Sequence, residues 1–96
     1  MNSKTLETNK SEIFKKHCYT ELVYERINKK LGTGFSKEES EALIKKTLKE
    51  TAIENYIKKG KNFYISNKEY NIRITINSNT FRVITVDKIR RTIKAW

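Results

Sequence analysis

Gly60-Lys61-Asn62-Phe63-Tyr64-Ile65-Ser66-Asn67-Lys68-Glu69-Tyr70-Asn71-Ile72-Arg73-Ile74-Thr75-Ile76-Asn77-Ser78-Asn79-Thr80-Phe81-Arg82-Val83-Ile84-Thr85-Val86-Asp87 is the stretch on which the fold turns. Apolar and polar residues alternate along it, β-branched and aromatic types dominate, and the breaks hold Asn, Ser, Lys and Glu. That pattern predicts strands at 62–66, 70–77 and 80–86. With two-residue turns at Lys68-Glu69 and Ser78-Asn79, Phe63 faces Ile74, Ile65 faces Ile72, Ile74 faces Val83 and Ile76 faces Phe81. The large apolar side chains of all three strands then share one side. The other side presents Asn62, Tyr64, Arg73, Thr75, Asn77, Thr80 and Arg82, with Ile84 and Val86 toward one end. Tyr64 lies opposite Arg73 there, and Thr75 opposite Arg82.

Upstream the period lengthens to that of helices. From Ser11, a usable N-cap, Ile13, Phe14, Cys18, Leu22, Val23, Ile27 and Leu31 recur every three to five residues, and Gly32 stops the run. A break at Thr20, itself a usable cap, would divide this run into two helices, and both readings stay open. Residues 1–10 are polar and aperiodic and read as a flexible arm before a single domain over 11–96. Ser36-Lys37-Glu38-Glu39 is a capping box that opens another helix. Leu43, Ile44, Thr47, Leu48 and Ala52 form its apolar face, with Lys37, Glu38, Glu41, Lys45 and Lys49 largely opposite. Residues 53–59 fit either the last helical turns or an edge strand turning at Lys59-Gly60. After the strands, Asp87 can cap a short helix with Ile89, Ile93 and Trp96 on one stripe. The expected fold is α+β, with two or three helices on one face of a three- or four-stranded antiparallel sheet and a short C-terminal helix.

The 96 residues are 36% hydrophobic, hold no proline and contain no apolar run long enough to span a bilayer, so one domain and no membrane segment are expected. The first twelve residues lack the apolar core of a secretory signal. A single cysteine, Cys18, allows no internal disulfide, which points to a reducing cytoplasm. One histidine, His17, and one cysteine cannot furnish a zinc site, and a single aspartate, Asp87, speaks against two-metal nuclease chemistry. No metal and no cofactor is expected. The Gly32-Thr33-Gly34 turn is too short to cradle phosphate.

The net charge of +10, from 21 basic and 11 acidic residues, suits a polyanion binder, although lysine, isoleucine and asparagine make up 37 residues and an AT-rich genome enriches all three. Residues 60–96 carry eight basic and two acidic groups, six of the ten net charges. Four of the five arginines, Arg73, Arg82, Arg90 and Arg91, lie there, and arginine is the better phosphate fork. The expectation is a small, basic, non-catalytic binding protein for RNA or a ribonucleoprotein, with contacts from Lys61, Tyr64, Arg73, Arg82, Lys88, Arg90, Arg91 and Lys94. A plain solvated sheet face would carry similar residues. One alternative is a metal-independent ribonuclease, with His17 as general acid or base and Arg73 or Arg82 on the phosphate. Another is a phage-type inhibitor of an RNA-guided nuclease, whose partner is a nuclease–guide complex. Cys18 reads as a small buried hydrophobe, and a Cys18–His17 dyad is disfavoured by neighbouring positions on one helix.

His17-Cys18-Tyr19-Thr20-Glu21-Leu22-Val23-Tyr24-Glu25-Arg26-Ile27-Asn28 and Gly60-Lys61-Asn62-Phe63-Tyr64, followed by Ile74-Thr75-Ile76-Asn77 and Ile84-Thr85-Val86-Asp87, resemble a family of small uncharacterised bacterial proteins, a domain of unknown function. The resemblance covers most of residues 17–89 and implies membership without implying an activity. In architecture the chain is also similar to the barnase and colicin-type toxin ribonucleases, in which helices precede an antiparallel sheet. That likeness implies roles for His17, Thr75 and Arg73 or Arg82, by analogy of fold.

Overall fold

The period-two segment supplies three strands of a four-stranded sheet, and the fourth comes from the segment just before it. The computed structural model describes residues 2–89, with side chains from Asn9 onward. Its elements are α1 (Asn2–Lys16), α2 (Glu21–Leu31), α3 (Lys37–Glu50), a 3-10 turn (Ile53–Asn55), β1 (Tyr56–Lys59), β2 (Asn62–Asn67), β3 (Ile72–Asn77) and β4 (Val83–Lys88). The strands form one antiparallel sheet in the order β1-β2-β3-β4. The helices cover one face of it. Ile13, Val23, Ile27, Leu31, Ile44 and Leu48 from the helices meet Tyr56, Phe63, Ile65, Ile72, Ile74, Ile76, Val83 and Val86 in one core. Each such side chain contributes about 1.5–3 kcal/mol on burial. The expected C-terminal helix lies at its far end, 90–96, outside the described residues, and Asp87 belongs to β4 rather than capping it.

The helical boundaries follow local chemistry, with several corrections. The residues expected as an arm, from Asn2 on, are wound into α1, so Ser11 is interior to a helix and caps nothing. The long apolar run is two helices: α1 stops at Lys16, and Thr20 stands at the N-cap of α2. Gly32 closes α2 in the left-handed region (φ 69°), its N–H donating to the Asn28 carbonyl. The Asn28 side chain then holds the α2–α3 turn, accepting from the Thr33 hydroxyl (2.7 Å) and the Phe35 N–H (2.9 Å) and donating to the Phe35 carbonyl (3.0 Å). The capping box is present: Glu39 N–H donates to Ser36 Oγ, and Ser36 N–H donates to the Glu39 carboxylate. Ala52 lies beyond the end of α3 and is exposed, so it is no part of the apolar face.

The ambiguous segment 53–59 becomes a single 3-10 turn and then edge strand β1. Between β1 and β2 the first loop residue, Gly60, has φ 63°, the position at which a type II′ hairpin turn calls for glycine. The other two hairpins have loops of four residues (68–71) and five residues (78–82) instead of the expected two. Asn67 Oδ1 accepts from the Tyr70 N–H, and Asn71 takes φ 58° before β3. Asn77 Oδ1 accepts from the N–H groups of Asn79 and Thr80, an Asx turn that delays β4 to Val83.

The register therefore differs from the expected one. Phe63 pairs with Ile76 and Ile65 with Ile74, a shift of two residues that preserves which side chains face inward. Across β3 and β4, Ile76 pairs with Val83, a bulge follows, and Thr75 pairs with Thr85 and Ile74 with Val86. Ile84 is the extra residue. Beyond it the inside and outside of β4 exchange, so Val86 is fully buried in the core instead of outward, while Thr85 and Asp87 face away from the helices. Phe81 precedes the strand with φ 60°, is half-buried and stacks on Phe63 at 6.4 Å.

Candidate functional site

The helix-free face of the sheet is built from alternate residues of four strands. By register it holds Ile57 and Lys59 from β1, Asn62, Tyr64 and Ser66 from β2, Arg73, Thr75 and Asn77 from β3, and Thr85 and Asp87 from β4. Tyr64 lies opposite Thr75 rather than Arg73, and Thr75 opposite Thr85 rather than Arg82. Arg73 lies between Ser66 and Asp87, with its Nε 3.4 Å from Ser66 Oγ, and is exposed. Thr75, expected to be accessible, is buried at 6% exposure, because its short side chain sits mid-sheet between Tyr64 and Thr85. Tyr64 is half-buried, while Ile57 is 55% exposed and Lys59 is exposed.

The acids are concentrated on the helical side of the chain, whereas bases lie on both layers, eleven on the helices and four on the strands. Among the described strand residues Asp87 is the only acid, and Lys30 of α2 reaches around the β4 edge to meet it at 3.2 Å. The other ten carboxylates of the sequence lie on the helices, the 3-10 turn or the 68–71 loop. Lys59, Lys61, Arg73, Arg82 and Arg26 take part in no ion pair among the described residues. Lys61 is exposed at the β1–β2 turn, and Lys88 is exposed at the end of β4, opposite Ile72 and so on the helix side of the sheet. Arg90, Arg91 and Lys94 lie outside the described residues.

Arg82 stands apart from Arg73, at the other end of β4. It forms a parallel bridge with Cys18: Cys18 N–H donates to the Phe81 carbonyl and Val83 N–H to the Cys18 carbonyl, both at 2.9 Å. Cys18 is consequently exposed in the α1–α2 connection, not buried in a helix. His17 is also outside the helix. Its Nδ1 lies 2.8 Å from the Phe14 carbonyl, which can only accept, so Nδ1 carries the hydrogen and in the neutral ring Nε2 accepts from the Tyr19 hydroxyl at 2.8 Å. Both ring nitrogens are thus engaged within the protein.

From Tyr19 an aromatic column continues inward. Tyr19 stacks on Tyr24 at 5.8 Å, the Tyr24 hydroxyl donates to Glu41 at 2.6 Å, and Lys37 lies over the Tyr24 ring. Burial and the neighbouring Glu41 carboxylate raise the Tyr19 hydroxyl above the ordinary tyrosine value. Burial, then the hydrogen bond to Glu41, push Tyr24 up to about 12. This column joins α2 to α3 and offers no free acid or base. The four residues that a ribonuclease would need are dispersed: His17 is engaged, Thr75 is buried, and Arg73 and Arg82 occupy opposite ends of the sheet.

Sequence reasoning missed Ile57, because 53–59 fitted helix or strand equally; Lys59, beside the Gly60 turn, was legible as a cation that could grip phosphate. The same reasoning also missed Arg26, which α2 brings beside β4 although 56 positions separate it from Arg82. Among the described residues no three His, Cys, Asp or Glu side chains gather to hold a metal, and no helix is long and apolar enough to cross a membrane. No curated protein and no solved structure matches the chain. The family model for a protein of unknown function (DUF3781) matches residues 11–87, from the second half of α1 to β4, and the chain belongs to that family.

Proposed function

We propose that this protein binds single-stranded RNA, free or within a ribonucleoprotein such as a nuclease–guide complex, and does so without catalysis. The observation that carries the reading is that a sheet face free of helices holds cations without ion pairs among the described residues, and its single acid is already paired with Lys30. Tyr64 supplies a ring for base stacking on that face, Asn62 and Asn77 supply amides beside it, and Arg73, Lys59 and Lys61 supply phosphate contacts. The thiol of Cys18 has no second cysteine to pair with, which fits action in the cytoplasm.

Labelled oligoribonucleotide titrated with pure protein in EDTA, read by anisotropy and by gel for cleavage, tests this. The three cations Lys59, Lys61 and Arg73 on the strand give a slope of log K against log salt of about −2, at about −0.7 per phosphate. Tyr64→Ala should weaken binding by about 1–3 kcal/mol without changing the slope. Binding insensitive to salt, or cleavage of the RNA, overturns the reading.

A further inference from the structure

The start of α2 and the start of β4 face each other across a groove of about 340 Å³, with Leu22 and Arg26 on the helix wall and Asn77, Arg82 and Ile84 on the sheet wall. Arg26 and Arg82 are both exposed, and neither has an ion pair among the described residues. The backbone around Arg82 is fixed on every side. Its N–H donates to Thr80 Oγ1, its carbonyl accepts from the Asn77 N–H at 3.0 Å, and the Cys18 bridge holds the outer edge. Two irregularities flank it: Phe81, a bulky residue at φ 60°, and the bulge that inserts Ile84. A left-handed conformation at a non-glycine aromatic costs free energy, and a bulge re-aims the side chains beside it. Both act on the one arginine of the sheet that the α2 arginine accompanies.

We infer that Arg26 and Arg82 together form a phosphate clamp, and that its ligand is a phosphodiester of the RNA strand bound on the sheet face. This rests on the proposed function and extends it, carrying the strand past Asn77 and off the end of the sheet to α2. Two guanidinium groups lining one groove offer forked N–H donors to the oxygens of a phosphate seated in it, while Leu22, 71% exposed, and Ile84 give the adjoining sugar or base an apolar surface. Past the groove Arg26 and Lys29 continue the basic line along α2.

The test is a double-mutant cycle read by anisotropy with labelled oligouridine. Arg26→Ala and Arg82→Ala should each weaken binding about tenfold, as expected for a charge-assisted hydrogen bond, and the double variant, which frees the one shared phosphate, should make the salt slope shallower by about 0.7. If the two hold one phosphate, the double variant loses clearly less than the product of the single losses, whereas Arg26→Ala with Arg73→Ala loses the full product. Arg26→Lys should recover part of the loss, and unchanged circular dichroism confirms that the variants are folded. If Arg73→Ala and Tyr64→Ala weaken binding while Arg26→Ala does not, the clamp is wrong and the sheet-face reading survives. If the wild-type protein does not retain RNA, both fall. Competition by inorganic phosphate, or by polyglutamate, at concentrations matched in charge to the RNA would assign the groove to a free anion or an acidic protein segment and overturn the phosphodiester assignment.

Discussion

Ile74→Ala is the sharpest perturbation of the sheet on which the binding face rests. Ile74 is fully buried on interior strand β3, between Ile65 of β2 and Val86 of β4, each of which is also at 0% exposure. Removing three carbons forfeits about 0.8 kcal/mol each, about 2.4 kcal/mol in transfer terms. The neighbours are β-branched and held by the ladders that join β2 and β4 to β3, so they cannot readily collapse into the space. A residual cavity of roughly 50 Å³ adds about 1.2 kcal/mol, for a total near 3.5 kcal/mol. Urea denaturation followed by circular dichroism reads this as a midpoint lowered by roughly 2–3 M, taking a slope near 1–2 kcal/mol per molar for a chain of this size. Ile74→Val, expected to cost about 0.5–1.5 kcal/mol, keeps the measurement possible if the alanine variant does not fold. In a double-mutant cycle of the valine variant with Val86→Ala, the two residues should couple by at least about 0.5 kcal/mol. A cost for Ile74→Ala below about 1 kcal/mol, or no coupling to Val86, would refute both the burial and the bulge that turns Val86 inward.

Asn28→Ala removes three side-chain hydrogen bonds of the α2–α3 turn and leaves the Phe35 N–H and carbonyl without them, so a loss of about 2–3 kcal/mol in chemical denaturation is expected. Alkaline pH should destabilise the fold in a defined window. Tyr24 titrates near its ordinary value of 10.0 in the unfolded chain and at about 12 in the native one, so above pH 10 the unfolded state releases the proton first and stability falls, flattening beyond pH 12. Denaturation midpoints measured between pH 8 and 12 should show that fall, and Tyr24→Phe should reduce it. His17→Ala should leave RNA retention unchanged and lower thermal stability, because it deletes the bonds to Phe14 and Tyr19. Abolished binding or abolished RNA cleavage in that variant would restore the catalytic alternative.

What the sequence disclosed and what it withheld divide by the range of the interactions. The capping box at Ser36, the stop at Gly32 and the alternation over β2 and β3 are local, and each was legible from residue types a few positions apart. Register was not, because it depends on how Asn67 and Asn77 bond their own loops, which lengthens two turns from two residues to four and to five. In the β2–β3 pair the error was an even number of residues, so the inner face survived it. In β4 the bulge at Ile84 reversed the parity and misplaced Val86. Arg73 and Arg82 were legible as exposed cations, but their separation was not, since it follows from that same register. The short strand β1 and the pairing of Arg26 with the β4 corner depend on tertiary packing and left no periodic signal.

A half-solvated sheet face needs polar residues, and threonine, tyrosine and arginine would serve there with no ligand at all. Cations left without partners are a different matter. Folding alone gains nothing from leaving Lys59, Lys61, Arg73 and Arg82 without an ion pair among the described residues while ten of eleven carboxylates lie on the helices and turns, because unpaired like charges repel one another and favour the unfolded chain. Interspersed signs would be more stable on the same backbone. Backbone strain adds to the argument at one corner, where Phe81 takes φ 60° immediately before Arg82, although a glycine or asparagine would sit there at lower cost. Two departures from what stability prefers thus fall on one surface, and a bound polyanion relieves the first of them by neutralising the cations that the fold leaves unpaired.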